Sequence, residues 1–176
     1  MGLITRVFEF DAAHRVMNEK VKCFNLHGHR WRVELTFEYE DVPALGYAID
    51  FKEIKRVCGT FLDQMFDHAV ILNPQDEKLI AFVKKNGWRL YEMGLGNDGD
   101  YNPSAENIAS ELWHIFLGFF RMDEHGIRLH NVRLYETPNC WVDCNSALYP
   151  ATDIVAYQLG AWRARIGDEK YDIREV

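Results

Sequence analysis

The chain has 176 residues, of which 48% are apolar and 27% charged, and a formal charge of −7. A chain of this length can bury roughly 70% of its unfolded surface and needs neither disulfide nor metal merely to fold, and its ordinary composition excludes collagen, coiled coil and intrinsic disorder. The acidic balance excludes a general nucleic-acid or anionic-membrane binder, since both require stripes of Lys and Arg.

No apolar run approaches the ~18 residues of a membrane span. The opening Met-Gly-Leu-Ile-Thr-Arg lacks the basic-then-apolar form of a signal peptide, so a cytoplasmic protein is expected. Residues 3–10 are rich in strand formers. Residues 29–39 alternate, with Trp31, Val33, Leu35, Phe37 and Tyr39 on one face and Arg32, Glu34, Thr36 and Glu38 on the other. That period of two predicts a strand with one buried face. Pro43 and Gly46 mark a turn. Asp50 and Glu53 form a variant capping box that opens a helix with the stripe Phe51, Ile54, Val57, Cys58, Phe61, Leu62 and Met65. A short helix is predicted over 76–86 and a loop over 94–103. Ser104 caps a second long helix with the stripe Ile108, Ala109, Leu112, Trp113, Phe116, Phe119 and Phe120. Residues 129–137 and 140–149 read as two strands joined at Pro138-Asn139. The order is therefore ββ, α(α)α, ββ, an α+β fold with helices on one face of an antiparallel sheet. The tail 151–166 carries a weak helical pattern.

The four cysteines, at 23, 58, 140 and 144, match no disulfide framework and are expected to be reduced. Packing is the expected role of Cys58, Cys140 and Cys144. The histidines carry more information. His27 and His29 are two apart, so in a strand they share a face, in phase with Trp31, Val33 and Leu35. His14 is in phase with Phe8, Phe10 and Ala12 if the first strand runs that far. Three imidazoles with one open position are the ligand set of catalytic zinc, although spacing alone leaves nickel, iron or copper open, as well as hydrogen-bonded core histidines. Gly28 between them would admit close approach of backbone or substrate.

Other candidates stand nearby, each with a plainer alternative. Cys23, four residues before His27, could be a thiolate nucleophile or base, a fourth metal ligand, or a small packing residue. Asp67-His68 could be a carboxylate-oriented imidazole or a helix-end pair. Glu136 is in phase with Val132 and Leu134, which points its carboxylate to the buried face. There it could form an ion pair or accept from a ligand edge with two donors. Glu106 in a first helical turn could simply favour the helix dipole. Arg15, Lys20 and Lys22 could bind phosphate groups or be a solvated basic stretch.

Taken together, Phe10-Asp11-Ala12-Ala13-His14, Cys23-Phe24-Asn25-Leu26-His27-Gly28-His29, Ile49-Asp50-Phe51, Asp67-His68 with Leu72-Asn73, Pro103-Ser104-Ala105-Glu106-Asn107 and Tyr135-Glu136-Thr137 resemble the motifs of the 6-pyruvoyl-tetrahydropterin synthase superfamily. Within it the chain resembles the 6-carboxy-5,6,7,8-tetrahydropterin synthase branch of the queuosine pathway, by its Cys-x3-His-Gly-His spacing. The motifs span residues 10 to 137. The resemblance implies a tunnelling fold (T-fold) in which ββααββ subunits with four-stranded antiparallel sheets close into a trimeric barrel, with two trimers stacked as a homohexamer. It implies zinc on His14, His27 and His29, Cys23 as the proton-abstracting base, and Asp67 and His68 as a relay across a subunit boundary. It implies that Glu136, with Glu106 nearby, holds the pterin's donor edge. The implied substrate is 7,8-dihydroneopterin triphosphate, and the implied products are 6-carboxytetrahydropterin, acetaldehyde and triphosphate. Residues 1–150 would be the synthase domain, with an insertion at about 74–102, and 151–176 a partly helical extension. Three alternatives are carried: triphosphate elimination to a pyruvoyl pterin, a non-catalytic pterin or purine binder, and a structural zinc domain closed by Cys23.

Overall fold

Alternation builds the sheet. In the computed structural model, which describes residues 1–94, 102–120, 125–145 and 147, β1 (Gly2–His14) and β2 (His27–Tyr39) pair antiparallel from Gly2 opposite Tyr39 to His14 opposite His27. β5 (Ile127–Thr137) pairs with β2, and β6 (Cys140–Asn145) with β5, both antiparallel. Trp31, Val33, Leu35 and Phe37 on β2 are completely buried, each contributing about 1.5–3 kcal/mol of apolar burial. Phe10, Ile127, Leu129, Val132 and Leu134 extend that face. The opposite face mixes exposed apolar residues (Leu3, Val7, Trp141) with ion pairs such as Arg30–Asp11 at 3.0 Å and Arg133–Asp143 at 2.8 Å.

Helices cover the apolar face. Asp50 accepts from the Lys52 amide at 2.8 Å and starts α1 (Phe51–Ile54). Glu53 does not reach back to complete the expected capping box. Its carboxylate is taken by Arg56, one turn on, at 2.9 Å. The run continues through a π-helical turn (Lys55–Gly59) into α2 (Thr60–Met65). Gly59 faces Phe8, where a Cβ would lie 3.1 Å from the ring, so the missing side chain lets the π turn close onto β1. α4 (Ala105–Leu117) is capped by the Ser104 hydroxyl, which accepts from the Asn107 amide at 3.3 Å. Its Ile108, Ala109, Leu112, Trp113 and Phe116 complete the main core.

The sheet departs from the four-stranded antiparallel expectation. Among the described residues it has six strands, with β4 (Leu90–Glu92) and β3 (Val70–Leu72) added outside β1, in the order β4-β3-β1-β2-β5-β6. β3 runs parallel to β1, and β4 parallel to β3. Between them α3 (Glu77–Lys85) makes a right-sized crossover and packs Ile80 and Val83 on Val70 and Leu72. Val70, Ile71 and Leu72 are all buried, as parallel strands covered on both sides are, so they show no alternation. α3 and β4 both lie within the stretch expected as an insertion at about 74–102. The last strand is shorter than expected, ending at Asn145. The extension 151–176 and most of the loop predicted at 94–103 lie outside the described residues. All four cysteines are free thiols; Cys58 and Cys144 are packed as expected, whereas Cys140 is exposed at the β5–β6 turn.

Candidate functional site

Strand register brings three imidazoles together. His14 closes β1 directly opposite His27, the first residue of β2, and His29 sits opposite Ala12. Directly opposed and diagonal residues on one sheet face are close neighbours. The ring centroids lie 4.5 Å (His14–His27), 5.1 Å (His14–His29) and 5.0 Å (His27–His29) apart. One ligand nitrogen from each falls within 4.8 Å of the other two. Trp31 forms the floor, with its ring edge-on to His14 at 5.0 Å and to His29 at 5.5 Å.

Hydrogen bonds set the tautomers. His14 Nδ1 donates to the Pro103 carbonyl at 2.6 Å, and His27 Nδ1 to the Asn25 carbonyl at 2.7 Å. A carbonyl only accepts, so Nδ1 carries a proton in both rings and Nε2 is the nitrogen left to face a metal. The Nε2 atoms of His14 and His29 are buried without a hydrogen-bond partner. Burial, reinforced by repulsion from the two neighbouring imidazoles, pushes the His14 pKa down to about 4 against a bond to Pro103 that raises it. Burial also lowers that of His29, against the attraction of Glu136. The orphaned Nε2 atoms of His14 and His29, and the rings of His14 and His27 oriented by carbonyls, fit a divalent transition metal, and three imidazoles with no thiolate in the set fit catalytic zinc.

The remaining expected residues fall into three places. Glu136 stands at the triad: its Oε1 is 3.6 Å from His14 Nε2 and 3.9 Å from His29 Nε2. It sits where the β5–β6 register shifts between Tyr135 and Thr137. Cys23 lies on a short 3-10 turn (Lys22–Phe24) between the histidine-bearing strands, half-buried, and is not among the side chains that cluster as metal ligands. Asp67 and His68 pair with each other at 2.7 Å. Asp67 also accepts from the Asp11 amide at 2.9 Å, and the His68 amide donates to the Asp11 carbonyl at 2.6 Å. His68 takes a left-handed backbone, φ 58°, which is uncommon outside glycine and clusters at working sites. Its ring is exposed and lines an open groove of about 510 Å³ with Asp11, Gly28, His29, Arg30 and Trp88. No hydrogen bond or ion pair joins the Asp67–His68 pair to the triad among the described residues. Glu106 is exposed in the first turn of α4. Arg15, offered as a phosphate ligand, is instead bound at 2.9 Å by the buried carboxylate of Asp76.

Periodicity missed an asparagine network behind the triad. Asn102 accepts from the Met17 amide at 2.8 Å and donates to the Met17 carbonyl at 3.0 Å. It also accepts from Asn73 Nδ2 at 3.2 Å, and its carbonyl accepts from Asn107 Nδ2 at 2.8 Å. The network fixes the Pro103 carbonyl that orients His14. The only sequence signal was the presence of Asn73 and Asn107 in the motifs.

Comparison with known proteins sets this geometry in a family. A family model described as 6-pyruvoyl tetrahydropterin synthase matches residues 3–147. A protein of Rickettsia felis named 6-carboxy-5,6,7,8-tetrahydropterin synthase is 37% identical over 147 residues, covering 79% of this chain and 96% of its own length. A protein of Haemophilus influenzae with the same name is 24% identical over 149 residues, covering 81% and 98%. Among solved structures, an uncharacterized protein from Wolinella succinogenes superposes with a TM-score of 0.64 at 21% identity, over 82% of this chain and 97% of that one. The 6-pyruvoyl tetrahydropterin synthase of Caenorhabditis elegans superposes with a TM-score of 0.56 at 23% identity, over 82% and 96%. The fold is thus the T-fold, and with the family model spanning most of its length the chain belongs to the 6-pyruvoyl tetrahydropterin synthase family.

Proposed function

We propose that this chain is a zinc-dependent carbon–carbon lyase that converts 7,8-dihydroneopterin triphosphate to 6-carboxy-5,6,7,8-tetrahydropterin, acetaldehyde and triphosphate. The observation that carries the reading is the joint presence of the open three-histidine site and of Cys23, four residues ahead of His27, in a chain 37% identical to a relative named for that product. One water balances the atoms, because triphosphate leaves as the free anion. No external oxidant is required: the side-chain carbon next to the ring is oxidised to the carboxylate while the dihydropterin ring is reduced.

Zinc held by His14, His27 and His29 would supply Lewis acidity toward the hydroxyls of the propyl side chain. Cys23, as thiolate, would take and return the protons on the neighbouring carbons. Glu136 would accept two hydrogen bonds from the 2-amino and N3 edge of the pterin, with Glu106 a lesser candidate. The Asp67–His68 pair would pass protons at a neighbouring protomer's site, within a trimer or a dimer of trimers. That assignment suits a pair whose side chains, among the described residues, hydrogen-bond only each other and the Asp11 amide, and whose exposed imidazole lines the groove. We place the enzyme in the cytoplasm and its product in deazapurine (queuosine) synthesis; no helix among the described residues is long and apolar enough to cross a membrane.

A second reading of Glu136 has its own observation. With Oε1 3.6 Å from His14 Nε2, the carboxylate is placed to serve as a fourth zinc ligand before substrate enters. Glu136→Gln separates the two: loss of zinc marks a ligand, and a raised KM with zinc retained marks a pterin anchor. The whole reading is tested by assaying acetaldehyde from 7,8-dihydroneopterin triphosphate with the zinc-loaded protein and its Cys23→Ala variant. Acetaldehyde from the wild type alone is expected. Triphosphate with a pyruvoyl pterin and no acetaldehyde would assign the sister reaction, and no turnover would remove the lyase.

A further inference from the structure

The β3–α3 turn holds the loop between the histidine-bearing strands at two points. Asp76 occupies the N-cap position of α3, where an aspartate ordinarily accepts from the first helical amides. Its side chain makes no such bond. It is buried, 4% exposed, and turns to Arg15, whose Nε lies 2.9 Å from Oδ2. A carboxylate taken from water at that cost needs its partner. Arg15 in turn lays its guanidinium over the ring of Phe24, 4.6 Å from the centroid, next to Cys23. The second tie comes from Asn73 in the same turn, which donates to Asn102, and Asn102 brackets both backbone groups of Met17. Within the loop, the Val16 amide donates to the Cys23 carbonyl at 2.9 Å. The chain from Asp76 to Cys23 is thus continuous: buried carboxylate, guanidinium, aromatic ring, thiol-bearing turn.

We propose that Asp76 and Arg15 are positioning residues: through Phe24 they hold the Cys23 turn against the histidine triad, and Arg15 is thereby withheld from the phosphate-binding role its sequence position suggests. The proposal deepens the lyase reading and rests on Cys23 taking part in the reaction. A helix-capping role for Asp76 would leave the Cys23 turn indifferent to its charge, whereas positioning makes the two move together.

The test uses the full-length zinc-loaded protein. Asp76→Asn keeps the shape and removes the charge. Arg15→Met with Asp76→Asn removes the pair without stranding a buried ion, and so keeps a folded protein in hand. Arg15→Lys keeps the ion pair but loses the flat stack on Phe24. Amide exchange across residues 15–26 and alkylation of Cys23 by iodoacetamide, read by mass spectrometry against the exposed Cys140, report on the turn without turnover. Exchange and Cys23 alkylation are expected to rise about tenfold in the double variant while exchange in β2 stays unchanged, the signature of local rather than global opening. The kcat for acetaldehyde is expected to fall about tenfold with KM within about twofold, since orientation of a reacting group is what is lost. Arg15→Lys should fall between. Unchanged exchange and alkylation in the double variant would overturn the anchoring, and a loosened turn with unchanged kcat would overturn its part in the reaction. The role of Cys23 itself is scored on another protein: full activity in Cys23→Ala would sink the lyase mechanism, while the exchange data would stand apart from it.

Discussion

Replacing His14 by alanine and His27 by alanine should have the same effect on the metal and different effects on the fold. Each change would remove one of the three proposed zinc ligands, and loss of either should weaken zinc binding by well over about 100-fold, more than loss of an outer partner costs. The protein side differs because His14 is 1% exposed and tied to the Pro103 carbonyl, whereas the His27 side chain is only half-buried and, among the described residues, hydrogen-bonds only the nearby Asn25 carbonyl. His14→Ala strands a buried acceptor, about 1–3 kcal/mol, and opens a void against Trp31 that adds to it. A total of about 3 kcal/mol is expected, or a drop in Tm of about 6–12 °C for a chain of this size. His27→Ala should cost under about 1 kcal/mol, as changes away from buried contacts do. Metal analysis of the purified variants, followed by melts of each in EDTA, separates the two quantities. Equal melting of the two chelated variants, or full zinc in His14→Ala, would refute the assignment of His14 as both ligand and buried strut.

Three further outcomes follow from the same contacts. Chelation should release zinc and leave far-UV circular dichroism intact, because the core of Trp31, Leu35, Phe61 and Trp113 is closed without the ion; collapse of the signal would instead identify a structural site. Acidification should destabilise the chelated protein, because an unfolded histidine takes its proton below about 6.5 while His14 in the fold holds off until about 4. Stability is then complete above pH 6.5 and declines by about 3 kcal/mol by pH 4, and urea melts of His14→Gln should show a flatter slope over that window. Gly59→Ala should destabilise by about 1 kcal/mol through crowding, because its Cβ would meet Phe8 at 3.1 Å. Phe8→Leu should recover part of that in denaturant titrations, and a neutral Gly59→Ala would show that the π turn adjusts freely.

The triad was legible because a strand preserves parity. His27, His29 and Trp31 had to share a face, and His14 joined them because β1 runs past residue 10 to its full length. Glu136 was legible for the same reason, by its phase with Leu134. The four long strands and the two helical runs on one face followed from alternation and from the caps at Asp50 and Ser104. β3 and β4 were hidden by their brevity, three residues each, and by the absence of alternation in Val70-Ile71-Leu72. Contacts between distant segments left no periodic trace. The pairing of Arg15 with Asp76 spans all of β2, the first helical run and β3, and the bond from His14 to Pro103 joins residues 89 apart. Charge at Arg15 could be read from the sequence, but the carboxylate that neutralises it could not.

The opposition of His14 and His27 would also make an ion bound at the triad a reader of strand alignment. β1 and β2 pair over 13 residues with no bulge between them, a length over which a ladder could form in a neighbouring alignment with most of its backbone bonds intact. A slip of one residue turns every side chain of one strand to the other face, and the imidazole of His14 would then point away from those of His27 and His29. Such a misaligned chain presents at most two ligands. Binding stabilises only the state that holds the ion, so zinc bound at the triad would favour one alignment over its near neighbours independently of the apolar core, and its arrival would act as a proofreading step on the central pair of the sheet.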